Sequence, residues 1–337
     1  MFLAFGVLSF GFSGVLIKLC RFPPATIASF RMVLAGAVLT PFCFGAWRRF
    51  LAERGLAGVL LLLVPGLLLG LHFHAWVAGL KRTTVANGTF IFSLNPVFFA
   101  LAERFVRRRR IPPYAVASLA MVVAGAWWLL VVQRGSLGRS GDLLCLAATL
   151  LFVVYLLVSR RVTRAGTTAP GQAGRVPHHL YIHILYLGGG LATLPLVLLG
   201  GSGTSGGAFG GPEGAAGGMP ALGGFLGLAI GDTGSLLALI GLALFPTLIG
   251  HTANNFAVRF LQPLTVSFFT LAEPILATVS AAVVLGEVPA ALEVPTYALF
   301  LAATVLYLVR SRAGPLEQHP GRRDGSATSG RRTGSSR

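Results

Sequence analysis

Long apolar runs, separated by short polar joints, constrain this chain more than any other feature of its sequence. They occupy almost all of residues 1–309. A helix needs about 20 apolar residues to cross a bilayer, and only helices and closed barrels satisfy their backbone polar groups in lipid. A barrel would show alternating segments of about 10 residues, which this sequence lacks. Only 11% of its residues are charged, against about 25% in soluble proteins. We therefore predict an all-α integral membrane protein.

The lengths of the runs predict ten transmembrane helices. Because the first run lacks the basic residues that begin a signal peptide, we expect it to be retained. The Gly-rich connection 200–234 is typical of a flexible exterior loop, and the basic tail 310–337 of a disordered segment. The predicted helices cover approximately 1–19, 25–46, 56–80, 83–103, 111–132, 141–159, 180–200, 235–257, 264–286 and 290–309.

Two of these spans share an unusual design. A shift of 178 positions places Pro96 on Pro274 and Asn95 on Glu273. Each proline removes a backbone donor and crowds the carbonyl four residues earlier, so both helices should be broken beside a polar residue. Matched interrupted helices indicate the binding region of a transporter.

The doubled pattern also predicts how the chain is organised. Ten helices divide into residues 1–132 and 141–309, with five in each part. An odd number per part makes the second enter the membrane from the opposite side, so the two parts should be inverted repeats. A substrate would then bind near the midplane, where the two repeats meet.

Basic residues predict the orientation of the chain. The net charge is +17, but the arginines cluster in joints between apolar runs, which favours a topology signal over nucleic-acid binding. With both termini in the cytoplasm, 19 of the 27 Lys and Arg residues lie inside and 7 outside. We expect a multi-pass plasma-membrane protein whose basic loops and tail contact anionic lipid. The sequence leaves open whether it forms a homodimer.

Several stretches resemble the EamA-type members of the drug/metabolite transporter superfamily. The first part contains GFSGVLIKL, ASFRMVLAG and NPVFFALAERF, and the second contains EPILATVSAAVVLGE and YALFLAATVLYLV, in family order. The resemblance implies a ten-helix carrier with inverted five-helix repeats, a central cavity and a small metabolite as substrate, amino acids among the candidates. The two parts differ at the end of the fourth helix, which is a departure from the resemblance. The second part has Gly286-Glu287 there, whereas the first part has Arg107 to Arg110 after Glu103.

Glu273 is the sharpest candidate for a functional residue. Ionisable groups inside a membrane are costly and usually serve proton or substrate pathways, and desolvation favours the neutral form of a carboxylate. The alternative is that Glu273 only caps the carbonyl freed by Pro274. Asn95 is its counterpart in the first part, and helix packing explains that amide equally well.

Other polar side chains within the spans are candidates for the substrate or ion pathway. His251, Asn254 and Asn255 share one helix face, and His72 and Trp76 share another. For the first face, the competing explanations are substrate contact and helix packing. For the second face, they are cavity lining, an interfacial aromatic belt and a histidine switch. Arg31 and Lys18 could meet an anionic group or extend to an interface. Asn87 and Tyr155 are further candidates for this pathway.

The sequence also weighs against other functions. It contains no phosphate-binding GxxxxGK, nucleophile elbow or HExxH motif, and its three cysteines lack metal-ligand spacing. We therefore predict no cofactor, no metal and no enzymatic activity. The primary interpretation is a secondary transporter that exports a small polar or amphipathic metabolite by alternating access. A membrane-embedded enzyme, a lipid-handling protein and a non-transporting scaffold remain as alternatives.

Overall fold

Every regular element is a helix in the part of the chain that the computed structural model describes, which comprises residues 2–132, 139–165, 176–200 and 231–313. The predictions for most of the Gly-rich connection and of the tail concern residues outside these ranges. The helices are α1 (Phe2–Phe10), α2 (Ser13–Leu19), α3 (Pro24–Leu80), α4 (Val85–Phe92), α5 (Asn95–Phe105), α6 (Pro113–Val132), α7 (Arg139–Ala165), α8 (His178–His183), π1 (Ile184–Gly188), α9 (Gly189–Gly200), α10 (Thr233–Leu242), π2 (Ala243–His251), α11 (Thr252–Phe260), α12 (Pro263–Thr270), α13 (Glu273–Leu285) and α14 (Val294–Ala313).

Many of these helices join into segments that match a membrane in length. Seven described helical segments are long and apolar enough to cross it, and Leu3–Leu19 and Pro113–Leu129 are shorter apolar helices. This confirms the prediction of an all-α, multi-pass membrane protein. The seven are Pro24–Leu80, Val85–Phe105, Ser140–Thr163, His178–Val197, Thr233–Phe260, Pro263–Leu285 and Ala291–Ser311.

The longest element departs from its predicted bounds. The spans predicted at 25–46 and 56–80 are two helices, labelled together as α3, that meet at a kink at the single non-helical residue Gly55, at φ 58°. The polar joint between them, residues 47–54, is itself helical because its Arg, Leu, Ala and Glu residues favour helix. Glycine tolerates the positive φ without a Cβ clash, so the turn between the two helices is confined to Gly55.

The first helix is also interrupted. It consists of α1 and α2, which are separated at Gly11 and Phe12. A Cβ at Gly11 would lie 2.6 Å from Leu276 Cβ, so only glycine permits this approach of α13. The Ser280 hydroxyl donates to the Gly11 carbonyl at 2.7 Å. The interruption therefore joins the first helix to α13.

Glycines also bring α3 against π1 and α9. A Cβ at Gly189 would lie 2.3 Å from the Gly66 carbonyl oxygen, and one at Gly36 would lie 2.6 Å from the Leu187 nitrogen. Small residues let helix backbones approach closely in membranes. This contact joins residues 1–132 to residues 141–309.

Polar contacts join the same two parts of the chain at one end of the spans. The Val85 N–H donates to Glu287 Oε2 at 3.1 Å, and the Arg21 N–H donates to Ser235 Oγ at 2.8 Å. Asp232 caps α10 by accepting from the Ser235 N–H at 3.0 Å and from its hydroxyl at 2.7 Å. These hydrogen bonds hold the pKa of Asp232 below its usual value.

An ionic cluster joins the two parts at the opposite end. Glu103 is buried and accepts from Arg107 Nη1 at 2.6 Å. Arg160, on α7, lies 3.9 Å from the same carboxylate oxygen. The helices are therefore held together at both ends of the spans, with the candidate site between them.

Candidate functional site

The first broken helix lies in the protein interior. Helix α4 ends at Phe92 and α5 begins at Asn95, and Pro96 is buried. The Asn95 amide donates to the Phe92 carbonyl at 2.7 Å, which is the carbonyl that Pro96 deprives of its backbone donor. The same amide lies 3.4 Å from Thr270 Oγ1 on α12. Asn95 thus caps one break and contacts the other.

The second broken helix has the same form. Helix α12 ends at Thr270 and α13 begins at Glu273, and Pro274 is buried. The Glu273 side chain is 4% exposed, and its Oε2 atom has no hydrogen-bond partner among the described residues. Unlike the Asn95 amide, the Glu273 carboxylate therefore does not cap its helix break. It lines an internal cavity instead.

This cavity lies between the two parts of the chain. Its volume is about 20 Å³, which is room for about one water molecule. Most of its lining is aromatic, and the polar groups are one cation, one carboxylate, one hydroxyl and two imidazoles. The lining residues are Phe10, Ser13, Arg31, His72, Phe73, Trp76 and Phe92 from residues 1–132, and Phe152, His251 and Glu273 from residues 141–309.

Arg31 is the cation of the cavity. It is 1% exposed, its Nε donates to Thr247 Oγ1 at 2.8 Å, and its guanidinium carbon lies 4.0 Å from the centroid of the Phe73 ring. Its Nη1 atom has no hydrogen-bond partner in the described part of the chain. Among these residues, no ion pair within 4.0 Å joins Arg31 to Glu273. Both charged groups therefore keep an unpaired atom.

The position of Thr247 follows from the proline before it. Pro246 deprives the Leu242 carbonyl of its donor, and the Thr247 hydroxyl donates to that carbonyl at 2.7 Å. The surrounding turns form π2, a geometry that often marks functional sites. Tyr186, from π1, donates to the Thr247 carbonyl at 2.8 Å. Two π-helical segments therefore hold the threonine that binds Arg31.

The two cavity histidines lie side by side. His72 Nδ1 lies 2.8 Å from the Ala148 carbonyl and must carry the proton to donate to it, so Nε2 of the neutral ring is an acceptor. The ring centroids of His72 and His251 are 5.9 Å apart, and His72 stacks with Trp76 at 13°. His251 Nδ1 has no hydrogen-bond partner in the described ranges.

The structure thus brings Glu273, His251, His72, Trp76 and Arg31 together, and it places other candidates elsewhere. Asn255 bonds to the His251 carbonyl at 2.8 Å, to the Tyr155 hydroxyl and to Ser159. Tyr155 and Asn255 therefore belong to a packing network between α7 and α11 and do not line the cavity.

Three further candidates also lie outside the cavity lining. The Lys18 ammonium donates to the Thr83 carbonyl at 2.7 Å, at the end of its span. Asn87 and Asn254 are buried with side-chain atoms that lack a hydrogen-bond partner in the described residues. No group of three or more His, Cys, Asp or Glu side chains within those residues is arranged to hold a metal.

Sequence reasoning missed several residues of the site. Thr247 and Tyr186 orient Arg31, and the signal available for Thr247 was the Pro246-Thr247 pair inside an apolar span. Phe10, Phe73 and Phe152 line the cavity, but nothing in the sequence separates them from the many phenylalanines that face outwards, such as Phe42 and Phe105.

Comparisons with known proteins agree with a transporter. Residues 1–131 match the EamA-like transporter family. The chain is also 26% identical over 172 residues to YyaM, an uncharacterized transporter of Bacillus subtilis strain 168, which covers 46% of this chain and 54% of the relative. The aligned region thus spans about half the length of that relative.

One solved protein crystal structure shares the fold. It aligns with a TM-score of 0.61 at 19% identity, over 92% of this chain and 96% of the other. The family match agrees with the resemblance inferred from the sequence motifs. Residues 1–131 are thus similar to EamA-like transporters, and the region aligned with YyaM is similar to a protein that is named as a transporter.

Proposed function

We propose that this protein is a secondary carrier that exports a small amino-acid-like or otherwise amphipathic metabolite across the plasma membrane by alternating access. The observation that carries the proposal is the small cavity in which Arg31 and Glu273 each keep an unpaired polar atom. Buried charges are normally paired, so an unpaired cation and carboxylate in one cavity favour a ligand. The sequence contains no ATP-binding motif, and the driving force is therefore a solute or ion gradient.

The helix bounds support two inverted five-helix repeats as the framework of this carrier. Adding 178 to the end of α4 and the start of α5, at residues 92 and 95, reaches residues 270 and 273, where α12 ends and α13 starts. In the proposal, residues 1–132 and 141–309 rock against each other around the cavity. Both termini lie in the cytoplasm, and the basic loops contact anionic lipid.

Glu273 is the coupling residue in this proposal. The charged and titratable groups that share its cavity are Arg31, His72 and His251. A carboxylate that binds either a proton or a cationic group of the substrate makes the two compete. Such competition couples inward movement of protons to outward movement of substrate, which is export.

The test is transport by purified protein in liposomes. A thermal-shift screen of amino acids and related solutes first selects a ligand, and flux is then measured with the cytoplasmic face outward and an acidic lumen. Wild type should accumulate the solute. Glu273→Gln keeps the shape of the side chain but cannot titrate, so it should lose accumulation and retain exchange of solute for solute.

Glu53→Gln is the matched control, because Glu53 is exposed and lies outside the cavity. This variant should transport like wild type. Accumulation by Glu273→Gln with the wild-type pH profile would remove Glu273 from the coupling. Absence of flux for every solute that binds wild type would contradict a carrier.

A further inference from the structure

The two broken helices are followed by the same backbone turn. After α13, Gly286 lies at φ 70°, and the Glu287 N–H donates to the Ala281 carbonyl at 3.3 Å. A shift of 178 positions reaches Arg108, which lies at φ 52°, and the N–H after it also donates to the carbonyl six residues earlier, at 3.0 Å. A positive φ is uncommon outside glycine. The turn is therefore common to both parts of the chain, and the parts differ there in their side chains.

The side chain after the turn differs in what it can bind. Glu287 is half-buried, and its Oε2 accepts from the Val85 N–H at 3.1 Å. Val85 is the first residue of α4, so its N–H has no partner within the helix, and a carboxylate suits this positive end of the helix dipole. The counterparts at the other end are Arg109, whose side chain has no acceptor, and Pro263, which has no N–H. This bond therefore has no equivalent at the other end of the spans.

An apolar cluster lies between this bond and the cavity. Its members are at most 3% exposed and are Val15, Val85, Ala277 and Ala281. Along α4, the cavity residue Phe92 lies two turns beyond Val85, and along α13 the cavity residue Glu273 lies one turn before Ala277. The cluster therefore separates the cavity from the end of the spans that carries Glu287.

The cluster is closely packed and is shared by the two parts of the chain. A Cβ at Gly14 would lie 2.5 Å from Val85 Cγ1, so glycine is needed for this approach of α2 to α4. Both of these helices belong to residues 1–132, whereas Ala277 and Ala281 belong to residues 141–309. A movement of one part against the other must therefore separate the members of the cluster.

The opposite end of the spans is closed by different chemistry. Glu103 occupies the position that corresponds to Ala281 after the shift of 178 residues. It is buried, it accepts from Arg107, and Arg160 lies beside it. Because one end is closed by an apolar cluster and the other by an ionic cluster, a substitution can act on one end alone.

We propose that Val15, Val85, Ala277 and Ala281 form a gate at one end of the cavity, and that the Glu287 carboxylate holds this gate shut through its hydrogen bond to the Val85 N–H. The inference rests on the proposed carrier function and specifies what closes one end of its cavity. Opening the gate moves α4 away from α13, so it breaks this bond.

The test is thiol labelling of detergent-purified protein, in which both ends of the spans meet the reagent. In a background without the three native cysteines, Val15→Cys reports on the gate. Ala100→Cys, which is buried one turn before Glu103, reports on the opposite end. Glu287→Leu removes the acceptor and should raise the labelling rate of Val15→Cys at least about tenfold, because a hydrogen bond to a charged group contributes that much. The rate at Ala100→Cys should stay the same.

Two further variants test whether the hydrogen bond is the cause. Glu287→Gln keeps an oxygen that can accept from the Val85 N–H and should recover most of the wild-type protection. Val85→Pro removes the donor, and Thr84 before it already has the extended backbone, at ψ 158°, that a following proline requires. In the Val85→Pro background, Glu287→Leu should raise the labelling rate no further.

Glu53→Leu is the matched control, because Glu53 is exposed and lies outside both the gate and the cavity. It should leave both labelling rates unchanged. An unchanged rate at Val15→Cys in the Glu287→Leu protein would overturn the proposal, and so would equal increases at both reporters, which would mean a general loosening of the fold. A Glu287→Gln protein that labels as fast as Glu287→Leu would show that the hydrogen bond does not hold the gate. Because labelling requires neither substrate nor gradient, these results are independent of the flux that tests the carrier itself.

Discussion

At the scale of single residues, two of the buried prolines have beside them a polar side chain that caps the carbonyl they free. Pro96 frees the Phe92 carbonyl and Asn95 caps it, while Pro246 frees the Leu242 carbonyl and Thr247 takes it. Each pair keeps a helix interruption stable at a depth where water is scarce. In the second case Thr247 also accepts a hydrogen bond from Arg31. The residue that satisfies the backbone carbonyl therefore also holds the Arg31 guanidinium in the cavity.

Asn95→Leu should destabilise the protein by about 1–3 kcal/mol, because the buried Phe92 carbonyl loses its donor. The pH dependence of transport should not change, since the amide does not titrate. Thermal unfolding of the purified protein measures the first effect, and proteoliposome flux across a pH series measures the second.

A second substitution tests the cause of this loss. Pro96→Ala restores a backbone N–H that can donate to the Phe92 carbonyl, so Asn95→Leu should cost less in a Pro96→Ala background than in wild type. Equal losses in both backgrounds would show that the amide acts through another contact, such as Thr270.

Some residues of the site could be predicted from the sequence and others could not. Glu273, Arg31 and His251 could be predicted because an ionisable or polar residue deep in an apolar run needs a reason to be there. Tyr186 could not, since its role depends on the contact between π1 and π2. Asn255 was polar and deep for another reason, because it packs α11 against α7.

At the scale of elements, the contact of α3 with π1 and α9 depends on glycine. Gly189→Ala would place a Cβ 2.3 Å from the Gly66 carbonyl oxygen, and backbone cannot yield as a flexible side chain can. We expect a loss of about 1–3 kcal/mol in stability, measured as a lower apparent melting temperature. Gly45→Ala is the control, because a Cβ there meets nothing within 4 Å and alanine favours helix. A wild-type melting temperature for Gly189→Ala would show that the contact can relax.

The bounds of the elements show where sequence patterns stop being informative. The broken helices at Asn95 and Glu273 could be located from their prolines, because proline acts on the backbone within its own helix. The interruption at Gly11 and the helical conformation of residues 47–54 could not. Gly11 is needed because α13 packs against it, and the polar joint 47–54 looked like a loop although its residues favour helix.

At the scale of the whole molecule, the basic residues predict the orientation in the membrane. Val288 and Val106 are 81% and 77% exposed at opposite predicted faces. In a background without Cys20, Cys43 and Cys145, Val288→Cys should react with an impermeant maleimide on intact cells, and Val106→Cys only after the cells are opened. The reverse pattern would place both termini outside.

The small volume of the cavity also has an electrical consequence. A continuous column of water through a membrane protein would let ions leak, and each elementary charge that crosses 100 mV dissipates about 2.3 kcal/mol. At the depth of Glu273 there is room for about one water molecule, with phenylalanine and tryptophan rings around it. In the proposed carrier, rings packed around so little water would leave no continuous water column at this depth, so charge would cross only together with the coupled movement of the substrate.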